Sequence, residues 1–169
     1  MGGPERVRRQ LTLFVPDGTA PWLEPLRQTV DPVQFALIAA HVTLCREDEI
    51  AGLDFATLRE RLSMASPLAL TFGAPRRVDG HGLLLPCVDG APAFQQLRAQ
   101  VLDSTAIRTS DAHITLAHPR NPRAAGNVDE RVHALPVPLT VTFPSVALIE
   151  QHDGRPWEMR ESVVLAGQH

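Results

Sequence analysis

His41-Val42-Thr43-Leu44 is the stretch that decides the fold, because it returns 72 residues later as His113-Ile114-Thr115-Leu116. A His-x-Thr motif is short, so the flanking residues must support any assignment of a repeat. The residues that flank the two motifs also match each other, at an offset of 72 or 71 residues. The matching segments are Leu11 and Leu13 with Leu83 and Leu85, Asp17-Gly18 with Asp89-Gly90, Leu26-Arg27 with Leu97-Arg98, and residues 67–72 with 138–143. The chain is therefore one structural unit used twice.

Strand geometry predicts what the two copies present. Alternate side chains of a β-strand share a face, so His41 and Thr43 point one way while Val42 and Leu44 point the other. The same alternation holds for the second motif. The apolar positions indicate a core on one side of each strand. If the copies pack about a pseudo-two-fold axis, two imidazoles and two hydroxyls meet across a cleft, around one small anionic group.

Hydrophobic periodicity and turn residues predict the remaining elements. We expect a strand over Leu11–Pro16 and then a helix that is capped by Thr19. Val33–Ala40 should be a strand or hairpin leading into the first motif. Residues 120–127 are either a substrate loop or a plain surface connection. The other predicted elements are helices over 48–64 and 92–103, strands over 68–72, 82–88, 139–143, 146–151 and 157–165, and a hairpin turn at Asp153-Gly154.

Length and composition indicate a single domain. A chain of 169 residues with 44% hydrophobic residues is long enough for one sizeable core. We expect two lobes, at about 11–75 and 82–145, with closing strands over 146–165. There is no apolar run of about 20 residues, and residues 1–10 are polar with several Arg. The sequence therefore predicts a cytoplasmic monomer without a membrane partner.

The absence of Lys excludes several classes of enzyme. All 16 basic residues are Arg, so a Walker A phosphate loop, a Schiff-base mechanism and adenylylation of a Lys are ruled out. A net charge of −3 argues against broad binding of long duplexes. Cys45 and Cys87 lack a CxxC pattern, which favours packed, reduced thiols over a zinc or disulfide framework.

Paired His-x-Thr-hydrophobic motifs, one in each half of a duplicated chain, resemble the 2H phosphoesterase superfamily. The nearest group is the branch of 2′-5′ RNA ligases and RNA 2′,3′-cyclic phosphodiesterases. The resemblance implies an α+β fold in which two antiparallel sheets with flanking helices surround a central cleft. It also implies chemistry without metal or cofactor on RNA 3′ ends with a 2′,3′-cyclic phosphate, on small cyclic nucleotides or on 2′-5′ linkages. His41 and His113 would be catalytic, and Thr43 and Thr115 would bind the substrate.

Elementary chemistry agrees with this resemblance. Hydrolysis of a cyclic phosphodiester needs one neutral imidazole to take a proton from water and one imidazolium to protonate the departing ribose oxygen. Two hydroxyls can bind the non-bridging oxygens. The resemblance suggests His41 as the proton donor and His113 as the base, but the pseudo-symmetry leaves that assignment open. Ligation is possible by reversal.

Four alternatives stay open. The fold could be a module that binds an RNA end or nucleotide without turnover. A zinc site could use His41, His113 and His118, although no HExxH-type pattern is present. Arg46 and Arg120 follow the motifs and could bind the anion, but their odd spacing from the His disfavours this on an ideal strand. Phe14 and Trp157 could stack a base, or simply fill the core. The His residues predicted to lie outside the site are His81, His118, His133, His152 and His169.

We expect turnover to survive exhaustive chelation, because two imidazoles can handle both protons without a cation. The measurement is hydrolysis of a 2′,3′-cyclic nucleotide before and after treatment with EDTA. Loss of turnover that zinc or manganese restores would support the zinc hydrolase instead.

Overall fold

The computed structural model describes residues 2–78, 82–118 and 135–167. The predicted loop at 120–127, with Arg120, lies outside the described residues, as do His81, His133 and His169. No helix within the described ranges is long and apolar enough to cross a membrane.

Nine strands and four helices form within these ranges. In chain order they are β1 (Val7–Phe14), α1 (Leu23–Val30), α2 (Pro32–Leu37), β2 (His41–Cys45), α3 (Phe55–Arg61), β3 (Leu68–Phe72), β4 (Arg76–Val78), β5 (Gly82–Asp89), α4 (Ala91–Leu102), β6 (His113–Ala117), β7 (Leu139–Phe143), β8 (Ser145–His152) and β9 (Glu158–Val164).

The strands form two antiparallel sheets, which confirms the predicted α+β fold class. The four-stranded sheet has the order β2-β1-β8-β9. The five-stranded sheet has the order β4-β5-β3-β7, with β6 paired to β5. Strand β3 precedes β5 in the chain yet joins the second sheet, while β8 returns from the C-terminal part to pair with β1. Each sheet therefore contains one His-x-Thr strand, β2 or β6, beside a long central strand.

The 72-residue repeat is preserved in the strand pairing. Both pairs shift register at the equivalent point, after Leu11 in β1 and after Leu83 in β5. A backbone hydrogen bond from Val15 to Ala40 is repeated from Cys87 to Ala112, each at 3.0 Å. In the first copy Phe14 pairs with His41 and Thr12 pairs with Thr43. In the second copy the equivalent residues, Pro86 and Leu84, pair with His113 and Thr115.

The two motif strands bury the faces that alternation predicts. Val42, Leu44, Ile114 and Leu116 are all fully buried in the main core. The His and Thr side chains of both motifs are partly buried on the opposite faces. Strands β2 and β6 also contact each other, so the two motifs lie side by side.

The start of α1 differs from the prediction. Its N-cap is Trp22, which makes no side-chain capping bond, so Thr19 is not the cap. Instead the Thr19 N–H donates to the Pro16 carbonyl at 3.2 Å and closes a turn. Gly18 takes a positive φ of 82° in that turn, where a residue without Cβ is least strained.

The segment before the first motif is a helix, so the predicted strand or hairpin over Val33–Ala40 was wrong. The Asp31 carboxylate accepts a hydrogen bond from the Gln34 N–H at 3.1 Å, and Pro32 occupies the first turn of α2. An N-cap of this kind with Pro just inside it favours a helix. The apolar run alone could not distinguish the two states.

Helix α3 is shorter than the prediction over 48–64. It begins after Asp54, whose carboxylate accepts from the Thr57 N–H at 2.7 Å, while Gly52 with φ 79° holds the preceding residues in turns. Helix α4 matches its prediction closely. The Asp153-Gly154 hairpin is confirmed, with φ values of 49° and 73°.

Two Arg side chains are among the largest fully buried residues. Arg27 and Arg98 are each 1% exposed, and they come from the repeated Leu-Arg pairs in α1 and α4. Arg98 donates to the Leu44 carbonyl at 2.5 Å and to both Glu49 oxygens at 2.6 and 3.2 Å. This guanidinium therefore joins α4 to β2, the strand that carries the first motif.

The thiols are free in the structure. Cys45 is buried and Cys87 is partly buried. Burial raises the pKa of the Cys45 thiol to about 12, although the positive charge of Arg98 opposes the shift. Cys45 is therefore a neutral, packed side chain at physiological pH.

We expect Arg98→Met to lower the free energy of unfolding by about 3 kcal/mol, because it leaves the Glu49 carboxylate without its buried partner. Urea denaturation measures this loss. Arg59→Met is the matched control: Arg59 is exposed over the Phe55 ring at 4.9 Å, and it should cost less than about 1 kcal/mol. Equal losses in the two variants would contradict the importance of the buried pair.

The contribution of Arg98 to the free energy of unfolding should also depend on pH. Burial alone would raise the pKa of the Glu49 carboxyl, but hydrogen bonds from Arg98 and the Arg46 N–H outweigh it and lower the pKa. A lowered carboxyl pKa stabilises the protein above the unfolded pKa of about 4.3, and this stabilisation disappears as the pH falls through the folded pKa. The difference in free energy of unfolding between wild type and Arg98→Met should therefore become smaller at acidic pH.

Candidate active site

The two imidazoles are held in the same way. His41 Nδ1 lies 2.8 Å from the Ala39 carbonyl oxygen, and His113 Nδ1 lies 2.9 Å from the Asp111 carbonyl oxygen. A carbonyl oxygen only accepts, so each Nδ1 carries the hydrogen and donates it. Each Nε2 is then left to exchange a proton. The repeat thus preserves both the residue and its tautomer.

Two adjoining cavities open beside the motif strands. The larger, of about 560 Å³, contains His113 and Thr115, and the smaller, of about 390 Å³, contains Thr43 and His113. Arg46, Ser110 and Asp111 line both cavities as well. His113 therefore lies where the two cavities meet, with one motif Thr on either side.

His41 occupies a different position from His113. It lines neither of these two cavities, and its ring packs edge-on against Phe14 with centroids 6.2 Å apart. Phe14 and Trp157 themselves pack against a small buried cluster of Ile38, Ala147 and Ile149. These two aromatic side chains are therefore partly buried against the core.

The surroundings of His41 keep its ring neutral. Burial lowers the pKa of His41 to about 4, while the hydrogen bond to the Ala39 carbonyl opposes that shift. The positive charge of Arg27 lowers the pKa further, as does repulsion from the nearby His113 imidazole. His41 is thus a neutral imidazole at physiological pH in the ligand-free protein.

The cleft is lined by Arg side chains from several elements. Arg46 lines both cavities because β2 ends at Cys45, so strand alternation no longer applies to the next residue. Arg76 and Arg108 line the larger cavity, whereas Arg8 and Arg9 line the smaller. None of these four was predicted, because no motif marks them and the folded chain brings them together from β1, β4 and the segment between α4 and β6.

Three of these guanidinium groups are available to an anion. Arg108 is paired with Asp48 at 2.9 Å and lies 3.6 Å from Glu49. Arg9, Arg46 and Arg76 are exposed, and none of their side chains makes an ion pair or hydrogen bond with any residue that the structure describes. They therefore supply positive charge to the cleft that is not neutralised by a direct ion pair within the described residues.

The described residues hold no cluster of three or more His, Cys, Asp or Glu side chains that could bind a metal ion. His41, His113 and His118 therefore do not form the zinc site considered above. His118 lines the larger cavity, and its backbone N–H donates to the Asp31 carboxylate at 2.9 Å.

Comparison with known proteins identifies the family. A profile of the 2′-5′ RNA ligase superfamily matches residues 15–155. The chain belongs to this superfamily. This assignment confirms the resemblance to the 2H phosphoesterases, and the matched residues include both motif strands.

Similar solved structures include the crystal structure of TT0787 of Thermus thermophilus. The two chains are 16% identical, with a TM-score of 0.61 over 96% of this chain and all of the other. At this identity the likeness supports the fold alone. No curated protein matches this sequence.

We expect the His41 ring to titrate near pH 4, well below the ordinary value of 6.5. Inorganic phosphate in the cleft should raise this pKa, because a nearby anion stabilises the imidazolium. Long-range ¹H–¹⁵N spectra of the imidazoles, recorded across the pH range with and without phosphate, measure both effects. A His41 pKa at or above 6.5 without ligand would contradict the neutral ring.

The same titration affects stability. Between about pH 6.5 and 4, the unfolded chain protonates His41 more readily than the folded protein does. The free energy of unfolding should therefore decrease as the pH is lowered through this window.

Arg27→Met should raise the pKa of His41, since it removes a positive charge that disfavours the imidazolium.

Proposed function

We propose that the protein hydrolyses 2′,3′-cyclic phosphodiesters without a metal ion, with His41 and His113 as the general acid and base. RNA 3′ ends and small cyclic nucleotides are the substrate classes. One observation carries this proposal: both His-x-Thr strands lie side by side, each with its imidazole Nδ1 donating to a backbone carbonyl. The superfamily supplies the expectation of phosphodiester chemistry.

The reaction needs two proton transfers at one phosphorus. A neutral Nε2 accepts a proton from water as the water oxygen bonds to phosphorus. The bond from phosphorus to one ribose oxygen then breaks, and the other imidazolium donates its Nε2 proton to that oxygen. The product is a phosphomonoester with a free ribose hydroxyl. Exchange with solvent restores the starting protonation states.

The cleft also suits the charge that develops during attack. Thr43 and Thr115 hydroxyls can donate to the two non-bridging oxygens of the phosphate from opposite sides of His113. Arg46 and Arg76 can add charge-assisted hydrogen bonds, which are stronger than neutral ones. Such donors accelerate a reaction when they are already in place as the extra negative charge forms.

Two considerations bear on which imidazole is the acid. The family resemblance suggests His41 as the proton donor. The neutral His41 of the ligand-free protein instead suits a base. A bound phosphodiester carries negative charge and raises the pKa of a nearby imidazole, so substrate binding works in favour of His41 as donor.

Binding without turnover is the second candidate function. It is favoured by the position of His41, which lies outside the two cavities that contain the other motif residues. A binding module would retain a cyclic nucleotide or RNA end unchanged. An assay of 2′,3′-cyclic nucleotides that identifies the 2′- or 3′-phosphate product separates the two functions.

We expect His41→Ala and His113→Ala each to lower turnover of a 2′,3′-cyclic nucleotide by roughly 10²- to 10⁴-fold, because each removes one proton-transfer group. Binding should change little. The double variant should lose much less than the product of the two losses. His152→Ala is the matched control, since His152 contacts Glu5 at 2.9 Å on the hairpin surface, and it should retain full activity.

A substrate with a better leaving group distinguishes the acid from the base. Such a substrate needs less protonation of the departing oxygen, so it should partly rescue the variant that lacks the acid. Preferential rescue of His41→Ala supports His41 as the donor, and rescue of His113→Ala reverses the assignment. Full activity in both folded single variants would refute the proposed function.

A further inference from the structure

The pseudo-symmetry of the two halves breaks beside the motif threonines. Thr12 pairs with Thr43 across the strands, whereas Leu84 pairs with Thr115 in the second copy. Two residues earlier, at the same offset of 72, the first copy has Gln10 and the second has Gly82. At these neighbouring strand positions, therefore, only the first of the two described copies places polar side chains beside its motif Thr.

A hydrogen-bond network follows from this difference. The Gln10 side-chain amide nitrogen lies 2.9 Å from the Thr12 hydroxyl and 3.2 Å from the Thr43 hydroxyl. Thr12 is fully buried, while Gln10 and Thr43 both line the smaller cavity. An amide nitrogen has two hydrogens, so it can donate one to each hydroxyl.

The network decides where the Thr43 proton points. A hydroxyl that accepts a hydrogen bond from an amide directs its own proton elsewhere, and Thr43 lies on the cavity side of its strand. Thr115 has no side-chain hydrogen bond within the described residues, so its hydroxyl is not oriented in this way. One motif Thr is preorganised and the other is free to rotate.

We propose that Gln10 is a positioning residue that fixes the Thr43 hydroxyl as a donor to one oxygen of an anionic phosphate group in the cleft. This role deepens the proposed function, on which it rests for the identity of the reacting group. It makes the two non-bridging oxygens of the phosphate inequivalent: one meets a preoriented donor at Thr43, and the other meets a rotating hydroxyl at Thr115.

The first test uses binding, which does not require turnover. Calorimetry with inorganic phosphate compares wild type, Gln10→Met, Thr43→Val and the double variant. Met keeps the length of Gln without its amide donors. We expect each single variant to weaken phosphate binding by roughly three- to tenfold, the scale of one hydrogen bond, and the double variant to weaken it no more than the larger single loss.

Thr140→Val is the matched control for loss of a hydroxyl. Thr140 forms a cross-strand pair with Thr71 at 2.9 Å in the other sheet, so this variant should bind phosphate like wild type. Unchanged binding in Gln10→Met would overturn the proposal, as would independent losses in Gln10→Met and Thr43→Val. Failure of the wild type to bind phosphate would overturn it too.

The second test uses the two diastereomers of a 2′,3′-cyclic phosphorothioate, in which sulfur replaces one non-bridging oxygen or the other. Gln10→Met should change the rate ratio of oxygen to sulfur for one diastereomer only, the same one that Thr43→Val affects. Thr115→Val should affect the other. A merely structural loss would slow both diastereomers equally and would refute the positioning role.

The two tests separate this proposal from the proposed function. If wild type hydrolyses no cyclic phosphodiester, the proposed function fails, while the phosphate-binding cycle still decides the role of Gln10. If wild type is active but the cycle is additive, the function stands and the positioning role fails.

Discussion

Two buried guanidinium groups hold the two ends of the first motif strand. Arg27 donates to the Ile38 carbonyl at 2.8 Å and pairs with Glu24, whose carboxylate also accepts from the Ala40 N–H. The residues just before His41 are therefore fixed by a helix that is not adjacent to them in sequence. Arg98 fixes the end of the same motif strand. Burying a cation is costly unless hydrogen bonds and an opposite charge compensate for the loss of water, so these contacts favour this arrangement of the strand.

The buried Arg27 side chain also affects the protonation of the candidate site. A positive charge beneath the first motif acts on His41 together with burial, and both keep the ring neutral. The anchoring carboxylates differ in exposure, at 10% for Glu49 and 42% for Glu24. Solvent therefore screens the pair beneath His41 more than the pair beneath the strand end. Packing that secures the backbone thus also sets the charge of the site.

The sequence could predict the features that depend on local period and on repetition. Alternation along Val42 and Leu44 assigned the buried face, and the repeat located both His strands. It could not predict α2, because an apolar run fits either a strand or a helix until Asp31 caps it. Arg76 was equally beyond prediction, since it reaches the cleft through the pairing of β4 with β5. Strand pairing brings together residues from distant parts of the chain, so no regular spacing in the sequence marks them.

Duplication and the proposed hydrolysis place opposite demands on the cleft. A repeated fold supplies equivalent strands, registers and imidazole tautomers, yet the proposed reaction is asymmetric, because water would attack on one side of phosphorus and the ribose oxygen would leave on the other. For that reaction the two halves would have to differ where they contact the phosphate. They differ at Gln10, which is replaced by Gly82, and at Thr12, which is replaced by Leu84. The backbone keeps the symmetry of strand pairing that holds both imidazoles by Nδ1, and the neighbouring side chains remove the symmetry that would leave attack and departure equivalent in the proposed reaction.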